Sequence, residues 1–214
     1  MKTDIIFDLD GTLTDSGPGI KNSVRYMAKH YGLPQFPEEE MNRFVGPPLL
    51  SSFQTEYGMT EEQAKEAIAV YRTYFREKGM FENSVYPGIR ELLTALKDHG
   101  CSLYIATGKP TVYSRQILAH FGLDEYFDMV SGVSLSETES GKEELIRLVL
   151  TECDVDPANA VMVGDRRFDA EGAAACGIPC IGVTYGYGTK EELLDAGVCA
   201  LAESVEQLKT ILLS

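Results

Sequence analysis

Between Tyr86 and Val183 the chain alternates short apolar runs with helix-length stretches, which limits the available folds more than any other feature. Helical periodicity over residues 89–99 stops at Gly100, an apolar run follows at 102–106, and a helix at 110–121 stops at Gly122. Residues 126–130 read as a short strand, 142–153 as a helix, 160–163 as a strand, 168–176 as a helix closed by Gly177, and 180–183 as a strand. Strands separated by helices at this spacing form βαβ units, and so a parallel sheet. Residues 3–7 end in the apolar run Ile5-Ile6-Phe7, as a strand buried on both faces requires, and join the same sheet.

From Pro18 to Lys78 the texture differs. Helical spacing dominates, as at Ala64, Ala67, Ile68, Tyr71 and Phe75, and prolines at 34, 37, 47 and 48 cut the region into short pieces. The expected class is therefore α/β, a Rossmann-like parallel sheet flanked by helices with an inserted all-helical cap. Residues 1–15 and 84–214 form the core and 16–83 the cap. A chain of 214 residues, 44% hydrophobic and 24% charged, can fill such a core. Its 19 basic and 33 acidic residues leave a net charge of −14, which repels a nucleic-acid strand or an anionic membrane. Five cysteines without a CxxC pair and no long apolar segment point to a soluble cytoplasmic protein; a monomer or homodimer is expected.

In open parallel sheets, ligands bind beyond the carboxyl ends of the strands. The residues that follow each predicted strand are Asp8-Leu9-Asp10-Gly11-Thr12, Thr107-Gly108-Lys109 and Gly164-Asp165-Arg166-Arg167-Phe168-Asp169, with Lys142 opening a helix nearby. Four acids thus crowd one rim. Two like charges about 4 Å apart repel by roughly 4 kcal/mol at an effective dielectric of 20. A hard cation such as Mg²⁺, or one acid kept protonated, relieves the repulsion. Hydrolysis of a small phosphorylated metabolite uses both. Asp8 is the expected nucleophile and Asp10 the acid and base, with Thr107 and Lys142 holding phosphoryl oxygens. Asp165 is an expected metal ligand, and Asp169, one helical turn on, a ligand or its orienter. Gly11, Thr12, Gly108 and Lys109 stand where a phosphoryl group would meet the chain.

The segments DLDGTLTDS, IATGK, the later Lys142 and VGDRRFD resemble, in order, the four motifs of the haloacid dehalogenase superfamily of phosphohydrolases. Stretches such as YPGIRELLTALKDHG and IGVTYGYGTKEEL are similar to its phosphoglycolate phosphatase-like branch, which includes nucleotidases. The resemblance implies an aspartyl-phosphate on Asp8 and Mg²⁺ held by Asp8, Asp165 and Asp10, the last through its backbone carbonyl. The expected substrate is phosphoglycolate or a nucleoside 5′-monophosphate. The third-motif lysine stands in ESGKEEL rather than the commoner Lys-Pro setting, so Lys109 competes with Lys142.

Other readings compete. A sugar-phosphate mutase would use the same intermediate, although Thr12 is similar to the phosphatases and mutases more often carry valine there; a pyrophosphatase or a non-catalytic binding module would keep the fold. A calcium loop fails because its glycine falls too early, and a P-loop fails because Pro110 replaces the required Ser or Thr. Gly186-Tyr187-Gly188 lacks the third glycine of a dinucleotide fingerprint and reads as a turn. His30, His99 and His120 fall away from the rim, and Arg166 and Arg167 read as surface residues or partners of acids. In the cap, Arg43 offers a planar fork to a substrate carboxylate or second phosphate, or else lies on a solvated face. Phe44, Phe53, Tyr71 and Phe75 read as cap core.

Overall fold

A computed structural model describes residues 2–135 and 141–214. Its centre is β1 (Asp4–Phe7), whose Ile5, Ile6 and Phe7 are fully buried. The first strand pairs in parallel with β4 (Ser102–Pro110) on one side and β6 (Ala160–Gly164) on the other. Beyond these lie β5 (Met129–Val133), β7 (Cys180–Val183) and β8 (Ala200–Ala202), in the order β5-β4-β1-β6-β7-β8, every pairing parallel.

Strand periodicity divides the core into two layers. Ile5 and Phe7 face the layer built on α4 (Ile89–Asp98) and α9 (Val205–Leu212). Ile6 faces α6 (Lys142–Glu152) and α7 (Arg167–Ala175). Asp8 continues the Ile6 face past the end of the strand, toward the starts of α6 and α7.

The predicted elements recur with shifts of a few residues. The strand expected at 102–106 runs to Pro110 and so carries Thr107, Gly108 and Lys109 on its end. The strand expected at 126–130 lies at Met129–Val133, because residues 124–126 close a 3₁₀ turn that pushes pairing onward. The helix α5 (Thr111–His120), α8 (Lys190–Asp195) and the alanine-rich β8 complete the α/β part. Sequence periodicity offered no sign of β8, since three residues carry too little alternation. The lysine motif at 139–145 lies partly outside the described residues, although Lys142 itself is within them.

Between β2 (Thr14–Asp15) and β3 (Ser84–Val85) the chain is wholly helical, with α1 (Gly17–His30), α2 (Leu49–Tyr57), α3 (Glu61–Glu77) and short 3₁₀ turns. The two short strands pair antiparallel, so both chain crossings into this insert form one ribbon. Its apolar cluster joins Val24, Met27, Phe44, Phe53, Ile68 and Phe75, but also takes in Tyr113 and Ile117 of α5. The insert therefore shares an apolar core with α5. Among the described residues no helix is long and apolar enough to cross a membrane.

Gly19 makes the tightest backbone approach in the insert: a Cβ there would stand 1.8 Å from the Gly79 carbonyl oxygen. Gly19→Ala should destabilise the protein by about 1–3 kcal/mol through forced separation of α1 from the 79–81 turn. A thermal melt unchanged by this substitution would contradict that packing.

Candidate active site

Two carboxylates leave β1 in different directions. Asp8, 6% exposed, faces α6 and α7, where Lys142 Nζ lies 2.9 Å from its Oδ1. The same ammonium lies 2.7 Å from Asp169 Oδ1 and donates to the Ala106 carbonyl oxygen at 3.0 Å. Lys142 is the first residue of α6, so the helix start fixes the origin of its side chain. Asp169 is fixed as well: its Oδ2 accepts from the Arg166 backbone N–H at 3.0 Å, closing the first turn of α7. One lysine thus joins the strand ends to two helix starts.

Asp165 is 1% exposed and follows β6. Its Oδ2 accepts from the Tyr187 backbone N–H at 2.8 Å, while Oδ1 is buried with no hydrogen-bond partner among the described residues. The carboxylate fits only because glycines flank it. A Cβ on Gly11 would stand 2.2 Å from Asp165 Oδ2, and one on Gly186 would stand 2.5 Å from it. Gly11 also holds φ +82°, a conformation that side chains rarely adopt.

Asp8, Asp165 and Asp169 each offer an oxygen within 4.8 Å of the others. Burial above all, with Asp169 and Asp10 adding to it and Lys142 opposing, pushes the Asp8 carboxyl up to about 6. Burial likewise pushes Asp165 well above the ordinary carboxylate range, with Asp169 and Asp8 adding to it. Burial works against the Lys142 ammonium, but Asp169 and Asp8 together outweigh it and hold its pKa above the usual lysine value. Three buried carboxylates against one ammonium leave negative charge uncompensated. An all-oxygen donor set containing an orphaned buried oxygen fits a hard divalent cation.

Asp10 lies apart from this group. Its Oδ2 is 2.9 Å from Lys109 Nζ, and Oδ1 is buried without a hydrogen-bond partner among the described residues. Its carboxylate is not one of the three that cluster, and the expected metal contact of Asp10 is through its backbone carbonyl. The alternation that aligns residues 8 and 10 in a regular strand ends at Phe7, and the chain turns at Asp10 into a bridge with Thr14. Lys109 also sits 4.5 Å from the centre of the Phe75 ring, so the insert touches the same ion pair. The two competing lysines pair with different carboxylates, Lys142 with Asp8 and Lys109 with Asp10.

Thr107 is buried, its hydroxyl accepting from the Lys109 backbone N–H at 3.3 Å, and Thr12 keeps a buried hydroxyl without a partner among the described residues. A cavity of about 180 Å³ opens over Thr107, with Thr12 buried outside its lining. Asp8, Asp10, Gly108 and Lys142 lie at its floor, with Tyr71 and Phe75 among its walls. Those two rings, with Phe44, were read as cap core and serve both purposes, since they pack in the insert and face the cavity. Arg43 does not face it. Its guanidinium pairs with Glu40 and Glu56 on an exposed face and lies over Phe36, which overturns its expected approach to substrate. Asp15 accepts from the Tyr187 hydroxyl, so it too is taken up by structure. The turn at 186–188 went unrecognised as part of the rim. Its place just beyond β7 was the available signal.

A 5′-nucleotidase of Pseudomonas aeruginosa is 44% identical over 189 residues, covering 88% of this chain and 86% of its own. The tyrosine-protein kinase PtkA of Mycobacterium tuberculosis is 37% identical, covering 97% of this chain and 72% of its own. A plasmid phosphoglycolate phosphatase of Cupriavidus necator is 33% identical, covering 98% and 93%. The crystal structure of a predicted phosphatase from Clostridium acetobutylicum superposes with TM-score 0.96 at 47% identity, covering 100% of this chain and 99% of that one. The model of the haloacid dehalogenase-like hydrolases matches residues 5–183, the stretch that holds every acid and lysine of the cluster, and the chain belongs to that family.

Proposed function

We propose that the chain hydrolyses a small phosphate monoester through an aspartyl-phosphate on Asp8. The observation that carries this reading is the division of labour between two neighbouring carboxylates. Asp8 stands among carboxylates with Lys142, whereas Asp10 is held apart by Lys109 with one oxygen unengaged. Nucleophile and proton carrier require this separation of environments.

Asp8 attacks phosphorus, and the departing oxygen takes a proton from Asp10. Asp10 then removes a proton from the water that attacks the acyl phosphate, and Asp8 is regenerated with release of inorganic phosphate. Lys142 orients Asp8 by its contacts to Asp8, Asp169 and Ala106. The Thr12 and Thr107 hydroxyls and the Gly11 turn bind phosphoryl oxygens. Asp8, Asp165 and Asp169 would hold Mg²⁺, which when bound offsets the charge of the carboxylates and the phosphoryl group. The helical insert acts as a cap that excludes water from the intermediate.

The cavity resembles in size the roughly 150 Å³ that admits a benzene ring, and its aromatic walls favour a ring-bearing leaving group such as a nucleoside. The name of the Pseudomonas relative supports the same choice. A second reading, phosphoglycolate, is favoured by Arg72, which lines the cavity and donates to the Leu135 carbonyl rather than to an acid of the described residues.

A phosphate-release screen with Mg²⁺ tests the proposal, and activity on no monoester would refute it. Asp8→Asn should lower kcat by roughly 10⁴-fold while the circular dichroism spectrum stays native; retained turnover would remove Asp8 as nucleophile. Under the nucleoside reading, Arg72→Gln should leave kcat/KM for a nucleoside 5′-monophosphate within about threefold. A loss of about tenfold or more on phosphoglycolate alone, with phosphoglycolate the better substrate of the wild type, would select the second reading.

Without a cation, burial makes the folded protein bind the Asp8 and Asp165 protons more tightly than the unfolded chain does. For Asp8 that stabilisation is present below the ordinary carboxylate pKa and is lost as pH rises through about 6; for Asp165 it is likewise present below the ordinary carboxylate pKa and lost as pH rises through its own raised pKa. In EDTA, Asp165→Asn should therefore melt above the wild type at pH 7.5, the gap closing toward pH 5. A cation at a hundred times its Kd should raise the wild-type Tm by roughly 5–10 °C and the variant's far less. A variant that melts lower in EDTA at pH 7.5, or responds fully to Mg²⁺, would refute the assignment.

A further inference from the structure

One residue beyond Asp165, Arg166 leaves the rim and reaches the insert. Its Nε lies 2.9 Å from Glu192 Oε1 at the start of α8, and its Nη1 donates to the Val45 carbonyl, 121 residues away in sequence. Glu192 is itself pinned, since the same Oε1 accepts from the Arg167 backbone N–H at 3.0 Å. Only a planar guanidinium serves a carboxylate and a carbonyl at fixed angles in this way. On the insert side, Gly46 holds φ +102°, and a Cβ there would stand 2.9 Å from both Arg166 Cγ and Nη1. The backbone of the insert is thus shaped to accept this side chain.

The segment gripped by Arg166 is a wall of the cavity. Phe44, Gly46, Pro47, Pro48 and Leu49 face the cavity, and Val45 between them is fully buried. Two successive prolines make 47–48 stiff, so fixing Val45 and Gly46 fixes the wall beyond them. The Arg166 guanidinium does not line the cavity and bonds to Glu192 and Val45, while its backbone N–H, which a side-chain substitution leaves in place, holds Asp169.

We propose that Arg166 is a positioning residue, a latch that holds segment 45–48 over the cavity and sets how tightly the leaving-group part of the substrate is gripped. Glu192 is its anchor. The kinetic consequence rests on the function proposed above, but the latch itself does not. Closure through Arg166 stabilises the bound substrate without entering the chemical steps, so its loss falls on KM rather than on kcat.

The test uses the Mg²⁺-loaded protein and the variants Arg166→Lys, Glu192→Gln and the two combined. Hydrogen exchange followed by mass spectrometry reads the latch directly. In Arg166→Lys, exchange in peptides spanning 41–53 should quicken by about tenfold, with β1 and β6 unchanged. Against the best monoester of the screen, KM should rise by about tenfold, with kcat and half-saturating Mg²⁺ within about threefold of wild type. The combined variant should be no worse than Arg166→Lys alone, because both changes break one device. Exchange at 41–53 equal to wild type, or quickened evenly through the sheet, overturns the latch. So does a fall in kcat at constant KM, or a shifted Mg²⁺ requirement, which would place Arg166 in the chemistry or on Asp165. If the wild type hydrolyses no monoester, the proposed function falls, and the exchange result alone decides the latch.

Discussion

The charge balance around Lys142 is the constraint on which the rest of the architecture depends. A buried ammonium within 3 Å of Asp8 and Asp169 lets two acids occupy one dry rim, yet a third acid, Asp165, remains uncompensated. Burying charges costs several kcal/mol apiece unless they are paired. Every element that ends at this rim contributes to meeting that cost. The sheet brings the Ala106 carbonyl beside Asp8, α6 begins at the lysine, α7 begins with Asp169 closing its own first turn, and glycines at 11 and 186 clear space for Asp165.

Around this centre the insert is more than a lid resting on a finished site. Phe75 places its ring over Lys109, which in turn holds Asp10, so the environment of the second carboxylate is shared between the two parts of the chain. The apolar cluster that includes Tyr113 and Ile117 of α5 joins the same two parts. At the ribbon between them, Tyr187 donates to Asp15 and accepts from the Gly17 N–H, while its backbone N–H holds Asp165. Orientation of the insert and orientation of the carboxylates are therefore coupled through ordinary hydrogen bonds and packed rings, at the level of individual residues.

The motifs announced much of this. Asp8, Thr107, Lys142, Asp165 and Asp169 meet at one rim because each follows a strand or opens a helix of a parallel sheet, and such positions are legible as apolar runs that end in polar residues. Arg43 misled for the opposite reason. A cation beside a rigid Gly-Pro-Pro turn looks poised for a ligand, but its partners Glu40 and Glu56 come from the same exposed face, one of them 13 residues away. Arg166 read as a surface residue or a partner of acids, and it does pair with the acid Glu192; its hold on Val45 was not legible because the two are remote in sequence.

By itself the sequence determined the layered α/β class, the position of the helical insert and the set of acids at the strand ends. These follow from local periodicity and from where polar residues interrupt it, and both survive in a one-dimensional string. Only the tertiary structure decided that Asp10 turns from the carboxylate cluster to Lys109, that Lys142 rather than Lys109 serves Asp8, and that Arg166 grips the wall of the cavity. Those choices depend on distances of about 3 Å between groups far apart along the chain. Such distances are fixed by sheet register, helix starts and packing of the insert, none of which the order of residues states directly.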